Sequence, residues 1–156
     1  MASKRNKVLI KKYGGQVMPF QSLPIPAQLA IAHYMAIDGE AWEVPAGYRH
    51  NPKNFKDLLP WFRGKYGAKK YGYVEIPTEE LTAAVMKDEM SYQFPDFDSY
   101  HRWYIKLPGG IQNHPKKDRW PVVLSGQDDE TLQDGWHRLH TYYRQGADVI
   151  PAVYYP

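Results

Sequence analysis

Apolar and polar positions along the 156 residues recur with two periods, which divide the chain into helices and strands. Leu29, Ala32, His33 and Ala36 fall at three- and four-residue spacing, and Pro26 suits a first helical turn. A helix is therefore predicted from Pro26 to Gly39. A second covers 78–90, with Thr78 as N-cap and Glu79 and Glu80 in the first turn, where the helix dipole favours acids. A third covers 99–106 and stops at Pro108-Gly109-Gly110. Short apolar runs predict strands at 73–76, 120–125 and 131–133, with a turn at 126–129 between the last two. Asp134-Gly135 marks a tight turn into a helix over 136–145, closed by Gly146 and followed by a strand over 149–155. Pro151 within that strand points to a sheet edge or a bulge. Residues 42–53 read as a loop, and Pro60 is expected to end or bend any helix around it. The order β-α-(α)-β-β-α-β predicts an α/β or α+β domain.

Composition narrows the class. At 43% hydrophobic and 24% charged residues, wholesale disorder is excluded, and the length suits one domain with an appendage. No apolar run reaches eighteen residues, so no membrane partner is expected, and the basic N-terminus has no secretory pattern. With no cysteine, disulfides, thiolate zinc sites and cysteine nucleophiles are excluded, which fits a cytoplasmic location. Charge is uneven: residues 1–72 hold 12 Lys/Arg against 4 Asp/Glu, whereas residues 73–156 hold 8 against 13. Such asymmetry predicts one surface suited to a polyanion, and the element order places a domain at 73–156 behind a basic, partly helical extension at 1–72.

The strongest chemical signal is the turn Asp134-Gly135-Trp136-His137-Arg138. A helix start offers unpaired backbone N–H groups, Gly135 allows close approach and Arg138 supplies a guanidinium, a combination suited to phosphate. The bare spacing favours a plainer account, an ordinary strand-turn-helix with Arg138 paired to a local carboxylate. A strand, D-G-x-H-R, a helix ending at Gly146, then Val149-Ile150-Pro151-Ala152-Val153 resembles the second motif of the ParB/sulfiredoxin-like superfamily. Tyr73 to Leu81 resembles its opening strand and the segment after it, and Trp120 to Leu124 its "P-[I/V]-x-V" strand, so the resemblance covers about residues 73–156. It implies a mixed sheet with flanking helices, and nucleotide or phosphate binding by Asp134, Gly135, Trp136, His137 and Arg138.

Departures shape the expected activity. Sulfiredoxins carry a catalytic cysteine where this chain has Trp136, which excludes sulfinic acid reduction. A ParB clamp with its own helix-turn-helix is not expected, since the chain closes just past Tyr155. The superfamily's free serine kinases carry D-G-H-H-R, one substitution away, and their early catalytic carboxylate corresponds to Glu79 or Glu80. The resemblance thus implies a nuclease or NTPase of mobile-element type, with Mg2+ as cofactor and ATP or CTP as possible ligand. Alternatives are a small-metabolite kinase and a non-enzymatic plasmid- or phage-type accessory module that binds DNA or protein. The commoner reason for Glu at positions 79 and 80 is an ordinary first-turn acid.

A second signal lies in residues 49–72, which hold seven cations and the single acid Asp57. Arg63, Lys65, Lys69 and Lys70 would pair with phosphates while Tyr66 and Tyr71 stack on unpaired bases; the alternative is a solvated basic loop whose aromatics pack inward. His137 and His140 share a helix face but lack a third ligand besides Asp134, so no metal site is expected. His33, His50, His101 and His114 have no readable partner and default to structural or surface roles.

Overall fold

A computed structural model describes residues 2–37, 55–88, 93–108 and 119–156. In chain order the elements are α1 (Lys4–Lys12), β1 (Gln16–Pro19), α2 (Ile25–Ile37), α3 (Phe55–Tyr66), β2 (Lys70–Pro77), α4 (Thr78–Val85), α5 (Phe97–Tyr104), β3 (Val122–Leu124), β4 (Leu132–Asp134), α6 (Trp136–Arg144) and β5 (Val149–Tyr154). The fold is α+β, built on a mixed five-stranded sheet in the order β1-β2-β5-β3-β4. All neighbours are antiparallel except β3 and β5.

Strand alternation explains the layering. Tyr71 and Tyr73 of β2, Val123 of β3 and Val153 of β5 pack with Leu29, Ile31, Leu58 and Phe62 of α2 and α3. Val74, Ile76, Val122, Leu124, Ile150 and Ala152, out of phase by one residue, pack with Leu81 of α4, Tyr100 of α5 and Leu139 of α6. Helices therefore cover both faces, and each fully buried aliphatic side chain contributes about 1.5–3 kcal/mol. Gly72 sits opposite Tyr154, and a Cβ there would come within 2.0 Å of the Tyr154 ring. A strand-interior glycine is thus matched to an aromatic neighbour.

The basic N-terminus is a docked helix rather than a loose arm. Ser3 caps α1 by accepting from the Asn6 N–H at 3.1 Å. The buried Asn6 side chain donates to Ser125 O and Thr131 O at 3.0 and 2.9 Å, clipping α1 to the β3–β4 hairpin. Asp88 adds a second clip, accepting from Arg5, the Thr131 N–H and the Thr131 hydroxyl at 2.8–3.0 Å. The boundary expected at residue 72 falls inside β2, which pairs with β1, so both halves of the chain build one sheet.

Other local expectations change. Pro60 lies within α3 and does not end it; the buried Leu58, Leu59 and Phe62 hold the helix against α2. Pro77 occupies the N-cap of α4, and the Thr78 hydroxyl donates to Ala147 O at 2.5 Å instead of capping. β5 lies between β2 and β3 rather than at an edge; Pro151 is accommodated because pairing with β3 begins only at Ala152. The predicted loop at 42–53 lies outside the described residues. Among the described residues, no helix is long and apolar enough to cross a membrane.

Candidate functional site

β4 delivers the chain to Asp134, and Gly135 turns it into α6 with φ +100°. An L side chain is strained at that φ, and a Cβ would also lie 3.0 Å from the Val122 Cα of β3. Gly135 is therefore fixed by backbone geometry and close packing. Its carbonyl accepts the first helical bond from the Leu139 N–H at 2.8 Å, but it has no side chain to cap the first-turn N–H groups. The turn and helix start line a cleft of about 210 Å³ through Asp134, Gly135, Trp136, His137 and Arg138, with His33 from α2 and Tyr104 from α5. The Tyr104 hydroxyl meets His137 Nδ1 at 3.1 Å, while the half-buried His33 ring stands edge-on to Trp120, 5.7 Å between centroids. Burial pushes the Tyr104 phenol up to about 12, so it stays protonated at neutral pH.

Arg138 differs from its expected role. Its guanidinium donates to Asp134 Oδ2 at 2.8 Å and to Pro121 O, and only 12% of the side chain is exposed. Burial lowers its pKa, opposed by the neighbouring Asp134 carboxylate. The guanidinium ties α6 to the end of β4 and the start of β3, as in the plainer strand-turn-helix account. Arg138 lines the cleft with its charge already engaged by Asp134.

The acids are not brought to this turn. Glu80 accepts from Lys12 Nζ at 3.0 Å, and its pKa is lowered by a hydrogen bond from Tyr13 and then by Lys12. Glu79 lines a different cleft, of about 430 Å³, with Thr78, Thr82, Tyr143, Gly146, Ala147 and Asp148. That cleft borders the opposite end of α6, roughly 13 Å away for a nine-residue helix. Neither Glu faces the Asp134–Arg138 turn, because α4 packs beside the C-terminal end of α6. The donor set at the turn does not fit Mg2+ either. Mg2+ calls for carboxylate oxygens, and the cleft's Asp134 carboxylate is already paired with Arg138.

The basic segment divides by burial. Arg63, Lys65, Lys69 and Lys70 are exposed, with Arg63 Nε donating to Gln28 Oε1 at 2.8 Å and Lys65 Nζ lying 5.7 Å from the Trp61 ring centroid. Lys69 Nζ lies 5.5–6.0 Å from the rings of Tyr66, Tyr71 and Tyr155. Tyr71, however, is 1% exposed and its hydroxyl donates to Met35 Sδ, so it cannot stack on a base. Tyr66 is half-buried against Trp61 and Phe62. The aromatics pack inward, and the cations remain as a charged surface. Arg49 and Lys53 lie outside the described residues.

Two histidines without readable partners acquire them. His33 enters the cleft. His101, expected to be structural or on the surface, is buried and meets buried His140 Nδ1 to Nδ1 at 2.9 Å. Tyr104 stacks on His140 with centroids 3.8 Å apart, while Tyr100 and Phe97 stack at 5.1 and 5.2 Å. Burial, followed by the charges of His101 and His137, pushes the His140 pKa down to about 3; burial also lowers that of His101. The pair is thus two neutral imidazoles sharing one N–H between them. Nothing in the sequence links positions 39 residues apart, so only the fold reveals it. His50 and His114 lie outside the described residues.

Comparison with protein-family models, with curated proteins and with solved structures finds no match to this chain.

Proposed function

We propose that this protein binds a phosphate group of a nucleotide or nucleic acid in the cleft at the start of α6. The observation that carries this reading is the convergence of donors there. Residues 135–138 at the helix start, His33 and Tyr104 line one concavity, where a helix start favours an anion, while the Asp134 carboxylate is engaged by Arg138. The D-G-x-H-R resemblance to the ParB/sulfiredoxin-like superfamily supports the same ligand chemistry. At about 210 Å³ the cleft is smaller than the roughly 300 Å³ at which sites for drug-sized ligands begin. That size favours one phosphate with its sugar over a whole ATP or CTP. The exposed Arg63, Lys65, Lys69 and Lys70 add long-range attraction for a polyanion, and a cysteine-free chain suits the cytoplasm. Magnesium-dependent turnover by Glu79 or Glu80 is not carried, because those acids sit away from the turn.

The test is an amide chemical-shift titration with inorganic phosphate, a mononucleotide and a 5′-phosphorylated oligonucleotide. Saturable shifts centred on the amides of Trp136, His137 and Arg138 are expected. Saturation with no shift in residues 134–138, or shifts confined to 63–70, would overturn the assignment of the site.

A further inference from the structure

Resting on that phosphate reading, we infer that the occupant is an RNA phosphodiester, and that His33 and His137 act on it as a metal-independent acid–base pair. His33 and His137 line the cleft from helices that cover opposite faces of the sheet, α2 and α6. Histidine is the side chain that both gives and takes a proton near neutral pH, as a paired acid and base require. The Tyr104 hydroxyl at 3.1 Å from His137 Nδ1 fixes that ring's orientation, and the edge-on Trp120 ring does the same for His33. A phosphoryl oxygen held at the start of α6 would have its developing charge met by the positive end of the helix dipole.

RNA follows from the donor set. The cleft does not fit Mg2+, and an RNA strand brings its own nucleophile in the ribose 2′-hydroxyl. In the step, one imidazole takes the 2′-OH proton as the 2′-oxygen bonds to phosphorus. The P–O5′ bond breaks, and the other imidazolium protonates the departing 5′-oxygen. The products are a 2′,3′-cyclic phosphate and a 5′-hydroxyl, so atoms and electrons balance with no water, metal or redox partner. DNA has no 2′-hydroxyl and binds without being cut.

The experiment incubates the full chain in EDTA with a labelled single-stranded RNA and with the same sequence as DNA, and identifies the RNA ends. His33→Gln and His137→Gln, prepared identically and shown to be folded by circular dichroism, are run alongside. Cleavage of RNA only, cyclic-phosphate ends and a loss of about 100-fold or more in each variant are expected. RNA left intact while the DNA strand shifts the amides of 136–138 overturns the acid–base pair and leaves the phosphate reading standing. RNA cut equally by wild type and both variants also overturns it. Binding of neither strand overturns both.

Discussion

The two ends of α6 each border a cleft, and their linings are opposite in character. At the N-terminal end stand the first residues of the helix, His33, His137 and Tyr104, with the Asp134 carboxylate neutralised by Arg138. At the C-terminal end, where the helix presents carbonyls, stand Glu79 and Asp148 with Thr78 and Tyr143. The helix dipole acts in the same sense as the side chains at both ends, favouring anions at the first and cations at the second. One short helix thus separates a donor-rich site from an acid-rich one. The carboxylates that a metal-dependent phosphoester enzyme would need are at the wrong end for it.

The largest expected effect tests what holds the N-terminal end in shape. Arg138→Met should cost about 3–5 kcal/mol in urea denaturation, because it removes one partner of a largely buried ion pair and a bond to Pro121 O. Unchanged stability with lost phosphate binding would instead make the guanidinium a ligand group and break the contrast drawn above. Gly135→Ala should cost about 2–3 kcal/mol, combining left-handed backbone strain with crowding against Val122. A loss below about 0.5 kcal/mol would mean that the turn relaxes freely and the cleft is not preformed.

The middle of α6 gives a smaller, pH-dependent signature. The folded-state pKa of His140 lies near 3, below the ordinary histidine value, so the unfolded chain takes up the proton first. Its contribution to stability is complete above about pH 6.5 and is lost as pH falls toward 3, with a slope of about 1.4 kcal/mol per pH unit. His140→Phe, an aromatic of similar shape in a stack of rings, should flatten the dependence between pH 6 and 4.5. An equal slope in wild type and variant would place the titrating group elsewhere.

Much of the fold was readable because its signals are local. The stretch from Thr131 to Tyr154 announces itself through Asp134-Gly135, Gly146 and two β-rich runs, and the strand-turn-helix stands close to where it was expected. α1 was hidden because KRNKVLIKK is polar overall and its buried anchor is Asn6, a residue no hydrophobic pattern selects. Tyr71 was read as a stacking platform because lysines surround it in sequence. In a strand, Lys70 and Tyr71 point to opposite faces, and the alternation of Tyr71 and Tyr73 against Gly72, Val74 and Ile76 carried that information. The cleft at the Asp134–Arg138 turn was half legible. Its floor is contiguous, but His33 and Tyr104 arrive from helices about 100 and 30 residues upstream, and no spacing rule joins them. The expected roles of Glu79, Glu80 and Arg138 changed for the same reason, since distance along α6 and burial are tertiary properties.

The most direct test of the contrast between the two ends is a crystal structure of the protein soaked in tungstate, a heavy phosphate mimic, with its anomalous difference map. The account requires a peak in the N-terminal cleft, within hydrogen-bonding distance of the Trp136–Arg138 amides and beside His137, and none in the cleft lined by Glu79 and Asp148. A peak in the acid-lined cleft, or fully diffused tungstate that leaves the start of α6 empty, would contradict it.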